Sequence, residues 1–292
     1  MPEPSIRLAE LLASISLATD LGNGFPLEKT LRNTLIALSI AEELRLSDPE
    51  RSDVLYASLL RFLGCTSFAW EMSRWLGDEM AALQAFTPVD ERRPGEVMGA
   101  LKQIGRGQGA ATRTRALFNN TVHGKAISDF VVRVDCEANV RFSQRLGMSP
   151  EIGGILNEQY ERWDGKGAPQ KLAGEAIHPA ARILPLANQV EVFHRAGGDD
   201  EARAMARRRS GGWFDPACVE VFERCAGDVL PRLGEGNVWD AVLDAEPEPH
   251  VTIPLSRLDD LASAFADFAD LKAPQLLGHS SGVARLAEDA GT

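Results

Sequence analysis

The densest cluster of chemically active side chains in this chain is Glu161-Arg162-Trp163-Asp164-Gly165-Lys166-Gly167-Ala168-Pro169. It places two carboxylates, a guanidinium and an amine beside glycines that let the backbone turn tightly. Two readings suit it: a turn anchored on the core by Trp163, or a loop whose basic groups and amides cradle a phosphate. The histidines (His123, His178, His194, His250 and His279) are scattered, so no two project from one helix face towards a shared metal ion. His194 reads as a charge partner at a helix C-terminus, and His178, ahead of Pro179, as a solvent-facing residue at a helix start. Cys65, Cys136, Cys218 and Cys225 form no C-x-x-C pair, which removes the usual zinc and dithiol arrangements. Cys218 and Cys225 read as small buried residues.

The elements that must position these groups are helical. Leu27, Leu31, Leu35, Leu38 and Ala41 recur at three and four, the spacing of one buried helix face. Ser47-Asp48-Pro49-Glu50 supplies an N-cap, a first-turn proline and a carboxylate near the positive helix end, and Ser149-Pro150-Glu151 and Asp215-Pro216 repeat the device. The pattern predicts helices over 5–20, 28–46, 49–63, 70–86, 94–104, 110–118, 124–146, 150–160, 179–195, 200–209, 216–230 and 257–271. No stretch alternates cleanly between apolar and polar, so no sheet is expected and the fold class is all-α. Phe130, Val131, Val134, Ala138 and Phe142 make a broad stripe that serves either the core or a partner. Arg207-Arg208-Arg209 reads as a solvated helix face. Segments 87–94 and 105–109 are weak linkers. The strongest is 245–255, rich in proline and acid, which divides a main domain over 1–244 from a short helical piece over 256–292. That piece is too short to bury a core alone.

Composition limits the function classes. The 292 residues carry 31 basic and 42 acidic side chains, a net charge of −11, with 44% hydrophobic and 25% charged residues, as in globular proteins. This balance argues against a phosphate-neutralising surface, so no nucleic-acid partner is expected. Apolar runs fall far short of the ~20 residues a membrane crossing needs, and Met1-Pro2-Glu3-Pro4 does not open a signal peptide. A reduced, cytoplasmic protein without a membrane partner is expected.

The run from Tyr160 to Pro169, then Gly174-Glu175-Ala176-Ile177 and Ala181-Arg182-Ile183-Leu184, resembles the HD-GYP branch of the HD phosphohydrolase superfamily. Members carry H-H-E-R-W-D-G-x-G-Y-P, G-E-x-I-P and A-R-I-L-x-x-A-D. Ser210-Gly211-Gly212-Trp213-Phe214-Asp215-Pro216 is similar to the family's S-G-T-x-F-D-P, and Ser58-Leu59-Leu60-Arg61-Phe62-Leu63-Gly64-Cys65 stands where the family has A-L-L-H-D-I-G-K. The resemblance runs from about Gly24 to Leu230 and implies an HD-domain-like helical bundle. It also implies hydrolysis of cyclic di-GMP at a centre of divalent iron, manganese or zinc, in which the metals activate water.

At the positions the family uses as metal ligands, this chain departs from the pattern. Lys29 stands for the opening His, Arg61-Phe62 for the His-Asp pair, and Cys65 for the following Lys. Asp135 stands for a further His, Gln159 and Tyr160 for the paired His, and Asn188 for an Asp; Ala168 replaces the Tyr of G-Y-P. Only Asp135 and Glu161 are left as oxygen ligands, so no bound metal and no catalytic residue is expected here. Phe268-Ala269-Asp270-Leu271-Lys272-Ala273-Pro274 and Gly278-His279-Ser280-Ser281-Gly282-Val283-Ala284 resemble the segment that opens an HD-GYP domain. They parallel the stretch around Lys29, as the start of a second, incomplete copy in which His279 is a ligand only if that copy is completed. The resemblance thus implies an inactive regulatory or dimerising domain of a bacterial-type signalling protein, with a homodimer expected. A cyclic dinucleotide is the anionic ligand Arg162, Lys166 and Arg182 would hold. Two alternatives stay open: an active phosphohydrolase with an atypical ligand set that includes Asp135 and Glu161, and a non-catalytic interaction module that assembles signalling complexes.

Overall fold

The computed structural model describes residues 4–234 and 236–291. Residues 1–3, 235 and 292, which fall within the expected domain spans and include most of the N-terminal Met1-Pro2-Glu3-Pro4 motif, lie outside the described residues. The chain order is β1 (Ser5–Arg7), α1 (Leu8–Gly22), α2 (Lys29–Glu43), α3 (Asp48–Leu60), α4 (Ala69–Leu76), α5 (Glu79–Phe86), α6 (Pro94–Leu101), α7 (Ala110–Arg145) and α8 (Pro150–Glu158). It continues with α9 (Pro179–Arg209), α10 (Pro216–Arg232), α11 (Val238–Asp244), β2 (Thr252–Pro254), α12 (Leu258–Asp270) and α13 (His279–Gly291). The class is all-α, as expected.

Helix α2 lies at the centre, packed on α1, α3, α9, α10 and α11. Of the expected stripe, Leu31, Leu38 and Ala41 are buried and Leu35 partly so, as their three-and-four spacing requires, while Leu27 lies ahead of the helix and is exposed. The expected N-cap forms at Ser47 and is completed as a capping box, the Ser47 backbone N–H donating to Glu50 Oε2 at 2.8 Å. A second cluster, built from Phe25, Phe62, Cys65, Phe68, Met72 and Ile127, fills the space between α4 and α7. The stripe on α7 serves these cores: Phe130 meets Trp75 edge-on at 5.2 Å, and Phe142 packs on Phe265 and Phe268.

Several expectations need correction. The two helices expected over 110–118 and 124–146 are one 36-residue helix. The polar run between them stays helical because Thr121 Oγ1 donates to the Leu117 carbonyl and Asn119 Nδ2 to the Trp75 carbonyl, so neither side chain competes for the helix's own amides. Conversely, 70–86 is split at Gly77, whose φ of +93° no helix accommodates. Helix α9 joins the segments expected over 179–195 and 200–209 across a break at Gly198. Helices α11 and α13 went unpredicted. His178 is not simply solvent-facing: its Nδ1 accepts the Ala180 N–H and caps α9, while Nε2 lies 3.0 Å from Glu151. His194 Nε2 lies 3.1 Å from Asp199 Oδ1 across the Gly198 break, so its partner is a side-chain carboxylate.

The absence of any sheet is also corrected. Strands β1 and β2 pair antiparallel, with Ile6 opposite Ile253. Half of the proline-rich segment 245–255 is therefore stapled to the N-terminus rather than free. Glu246 reinforces the staple: buried, it accepts from Arg7 and from the Tyr56 hydroxyl. Beyond it, α12 buries Leu261 and Ala264 in the main core. Ile253→Ala should therefore lower the unfolding free energy by about 2–4 kcal/mol, measured by urea denaturation. A change within ±0.5 kcal/mol would mean the segment is a loose linker.

Candidate functional site

The residues singled out around the HD-GYP-like motifs converge in the interior. Lys29 opens α2, and its Nζ donates to Asn188 Oδ1 of α9 at 2.5 Å. The ammonium also lies 4.0 Å from the Phe62 ring centre and 5.0 Å from that of Phe25. Burial lowers the Lys29 pKa to about 8, against the upward pull of the Glu191 and Asp20 carboxylates. Asp20 holds the start of α2: its two oxygens accept the Thr30 N–H at 3.0 Å and the Thr30 hydroxyl at 2.6 Å. Desolvation lifts its pKa to about 6 despite those bonds.

Arg61 and Phe62 follow α3. The buried Arg61 guanidinium faces the rings of Phe62 and Tyr160, at 5.7 and 5.9 Å, and its Nη1 has no hydrogen-bond partner. Desolvation depresses its pKa. The backbone around it is held by Asn139 of α7, which donates to the Arg61 carbonyl and accepts the Gly64 N–H at 2.7 Å. One turn earlier on α7, Asp135 is wholly buried and accepts from Gln159 Nε2 at 2.9 Å and Asn139 Nδ2 at 3.2 Å. Burial raises its pKa to about 7, against the Cys65 thiol, the Tyr160 hydroxyl and Arg61, which favour the carboxylate.

Glu161 serves the next loop. Its Oε1 accepts the backbone N–H groups of Gln170 and Lys171 at 2.6 and 3.0 Å and closes the turn that Gly165 and Gly167 begin. Gly167 is obligatory, since a Cβ there would sit 2.5 Å from the Arg162 nitrogen. This loop is pinned to the Ser210–Pro216 segment: the N–H groups of Trp163 and Asp164 donate to the carbonyls of Trp213 and Gly212.

The three basic groups considered for an anion are engaged with acids instead. Arg162 pairs with Asp90 at 3.0 Å and Asp164 at 3.2 Å, Arg182 with Asp215 at 3.2 Å, and Lys166 faces Asp164 at 3.8 Å. The expectation for Arg209 is overturned. It is fully buried, donating to Gln189 Oε1, the Pro88 carbonyl and Glu96 Oε2. Asp90 and Arg209 are thus the structural residues that sequence reasoning missed; their only signal was position, beside a proline and a Gly-Gly turn.

A divalent centre does not fit this donor set. Among the described residues no three His, Cys, Asp or Glu side chains are grouped to hold an ion. The expected positions present an ammonium, a guanidinium and a phenyl ring, none with a lone pair to give. A fixed cation ~6 Å from a divalent ion would oppose it by roughly 5 kcal/mol at an effective dielectric of 20. His279, by contrast, is exposed at the start of α13. Its surroundings repeat those of Lys29: Asp270 accepts the Ser280 N–H and, at 2.6 Å, the Ser280 hydroxyl, as Asp20 does with Thr30 across the same ten-residue span.

Two tests follow from this packing. A Cβ on Gly64 would lie 2.4 Å from the Asp135 carbonyl oxygen and 2.6 Å from its Oδ1, so Gly64→Ala should cost about 1–3 kcal/mol in urea melts. Between about pH 8 and the ordinary lysine value of 10.5, the folded chain holds fewer protons at Lys29 than the unfolded one, so Lys29 makes stability rise with pH across that window. Lys29→Met should remove that rise, of order 3 kcal/mol; an unchanged profile would place the ammonium in water.

Comparison with known proteins agrees with this architecture. Residues 139–218 match the HD domain family model. The chain is 28% identical over 281 residues to the 3'3'-cGAMP-specific phosphodiesterase 3 of Vibrio cholerae, an alignment covering 95% of this chain and 61% of that protein. A cyclic di-GMP phosphodiesterase of the same organism is 41% identical over 99 residues, 31% of this chain and 20% of that one. The crystal structure of a cyclic GMP-AMP specific phosphodiesterase of V. cholerae superposes with a TM-score of 0.74 at 26% identity, over 95% of this chain and 63% of that chain. This chain thus spans about three fifths of the length of that 3'3'-cGAMP-specific relative and of that solved chain. No helix among the described residues is long and apolar enough to cross a membrane. The motifs, the helical bundle and the matched segment together place an HD-superfamily domain in this chain.

Proposed function

We propose that this chain is a catalytically inert HD-GYP-like domain that regulates, and dimerises, a signalling protein related to cyclic dinucleotide phosphodiesterases. The observation that carries the reading is the buried Lys29 ammonium, bonded to Asn188 and flanked by the Phe25 and Phe62 rings where the resemblance would put a metal ligand. Arg61 adds a second buried cation beside Asp135, one of the two carboxylates left to such an ion. With those groups in place the centre supports folding and has no means of activating water. The likeness to the V. cholerae phosphodiesterases supports the signalling context. The reading does not assign a cyclic dinucleotide to Arg162, Lys166 and Arg182, because their charges already meet carboxylates. The Asp270–Ser280 clamp beside His279 supports taking 256–292 as the opening of a second HD-GYP-like unit.

The discriminating experiment is metal analysis of protein purified without chelator, with hydrolysis assays on 3'3'-cGAMP and cyclic di-GMP in the presence of Fe2+ or Mn2+. The expected result is well under one ion per chain and no turnover. Stoichiometric iron, manganese or zinc, or turnover that chelation abolishes, would establish instead a working centre with an atypical ligand set.

A further inference from the structure

A cleft of about 350 Å3 opens where the C-terminal segment is stapled to the body, and no residue of the Lys29 cluster lines it. One wall belongs to the body: Leu8 of α1, Tyr56 of α3, Leu146 and Met148 from the turn after α7, and Ile152 of α8. The other is β2, through Ile253, and the turn that follows it. Apolar clefts of roughly 300–1,000 Å3 with a few placed polar groups hold small ligands, preferentially where units of structure meet. This one is at the small end of that range, which limits the size of its occupant.

The two charged side chains of the cleft, Asp53 and Arg257, are of opposite sign. Among the described residues neither makes a side-chain hydrogen bond or an ion pair, in contrast to Arg162, Arg182 and Lys166, which all meet carboxylates. Asp53 is half-buried; burial raises its pKa, and the Glu151 and Glu50 carboxylates push the same way against His178. A carboxylate so placed is stabilised by an incoming cation. The Arg257 guanidinium rests on the backbone of Gly147, whose φ is +75°; a Cβ there would lie 3.0 Å from Nη1. Beside that turn, Ser149 heads α8 without using its hydroxyl as a cap. Tyr56 commits its hydroxyl to Glu246, so its share of the wall is apolar. Among the described residues β2 pairs only with β1, which leaves its second edge without a strand.

We propose that this cleft binds a dipeptide-sized zwitterion with apolar side chains. Its ammonium pairs with Asp53, and its carboxylate with Arg257 and the Ser149 hydroxyl. Its side chains displace water from Leu8, Met148 and Ile152. A peptide bond between the two charged ends also suits the unpaired edge of β2, which can meet it with backbone hydrogen bonds. A simple anion or a simple amine is the poorer occupant, because it leaves Asp53 or Arg257 unmet. Bound there, the zwitterion bridges the body and residues 251–257, so it strengthens the docking of the segment that leads into α12. The site goes beyond the reading of the centre as inert and does not depend on it. Metal content and turnover test that centre, and neither bears on this cleft.

Isothermal titration calorimetry of the full chain with L-leucyl-L-leucine tests the proposal. The control is N-acetyl-L-leucyl-L-leucine amide, which keeps the side chains and has no charges. The free dipeptide should bind with a Kd below about 1 mM, and the blocked one at least about tenfold more weakly. Asp53→Asn and Arg257→Gln, with folding checked by circular dichroism, should each weaken binding of the free dipeptide about tenfold or more. Bound dipeptide should also slow backbone hydrogen exchange in residues 146–152 and 251–257. Absence of heat with the wild-type chain at about 10 mM dipeptide would overturn the proposal. Equal affinity for the blocked dipeptide, binding indifferent to both substitutions, or protection confined to residues outside the cleft would do the same.

Discussion

The interior of this protein is organised by the burial of one ammonium group. Taking Lys29 out of water is unfavourable by several kcal/mol unless its charge is met, and the surrounding elements are arranged to meet it. Asn188 supplies an acceptor from α9, while Asp20 from α1 and Glu191 from α9 supply negative charge. The faces of Phe25 and Phe62 complete the enclosure. The two helices that converge on this point, α1 and α9, are therefore tied to α2 by electrostatics as well as by packing. Losing any of these partners leaves a charge unpaired in an apolar interior, which makes the cluster mutually dependent.

The same economy of charge recurs nearby. Arg61 lies between two aromatic rings close to Asp135, and Arg209 and Arg162 each use a planar guanidinium to bridge elements distant in sequence. A guanidinium suits this role because it donates in several fixed directions and stacks on aromatic faces. Arg209 reaches the loop ahead of α6 and the first turn of that helix while lying over Trp213; Arg162 reaches Asp90 in the same loop. These pins hold the Tyr160–Pro169 loop against the Ser210–Pro216 segment. The loop is thereby a rigid part of the scaffold.

The long helix α7 serves both apolar cores of this scaffold. One face of the helix is occupied by the two cores, through Phe130 and Phe142, and another carries the cations. A rod about 54 Å long at 1.5 Å per residue can connect a buried polar cluster at Asp135 with a surface near Arg115. The charge asymmetry along it is a matter of composition.

How much was legible in the amino-acid order can be argued from particular residues. The helical class followed from period, since Leu31, Leu35 and Leu38 can share a buried side only on a helix. The site followed from the family resemblance that the motifs around Trp163, Gly165 and Gly167 carry. The three-residue strands at Ile6 and Ile253 were beyond reach, because such short segments carry no period and form only when a partner some 250 residues away arrives. Arg209 was illegible for a related reason: a side chain in a run of three arginines looks solvated until Gln189, Glu96 and Trp213 are known to surround it. Local order thus determined the helical class and which donor groups stand at each motif position, because propensity and donor chemistry belong to the residue itself. Only the tertiary structure decided which charges are buried, with whom they pair, and where the C-terminal segment docks, because desolvation and Coulomb energy depend on neighbours the chain supplies from far away.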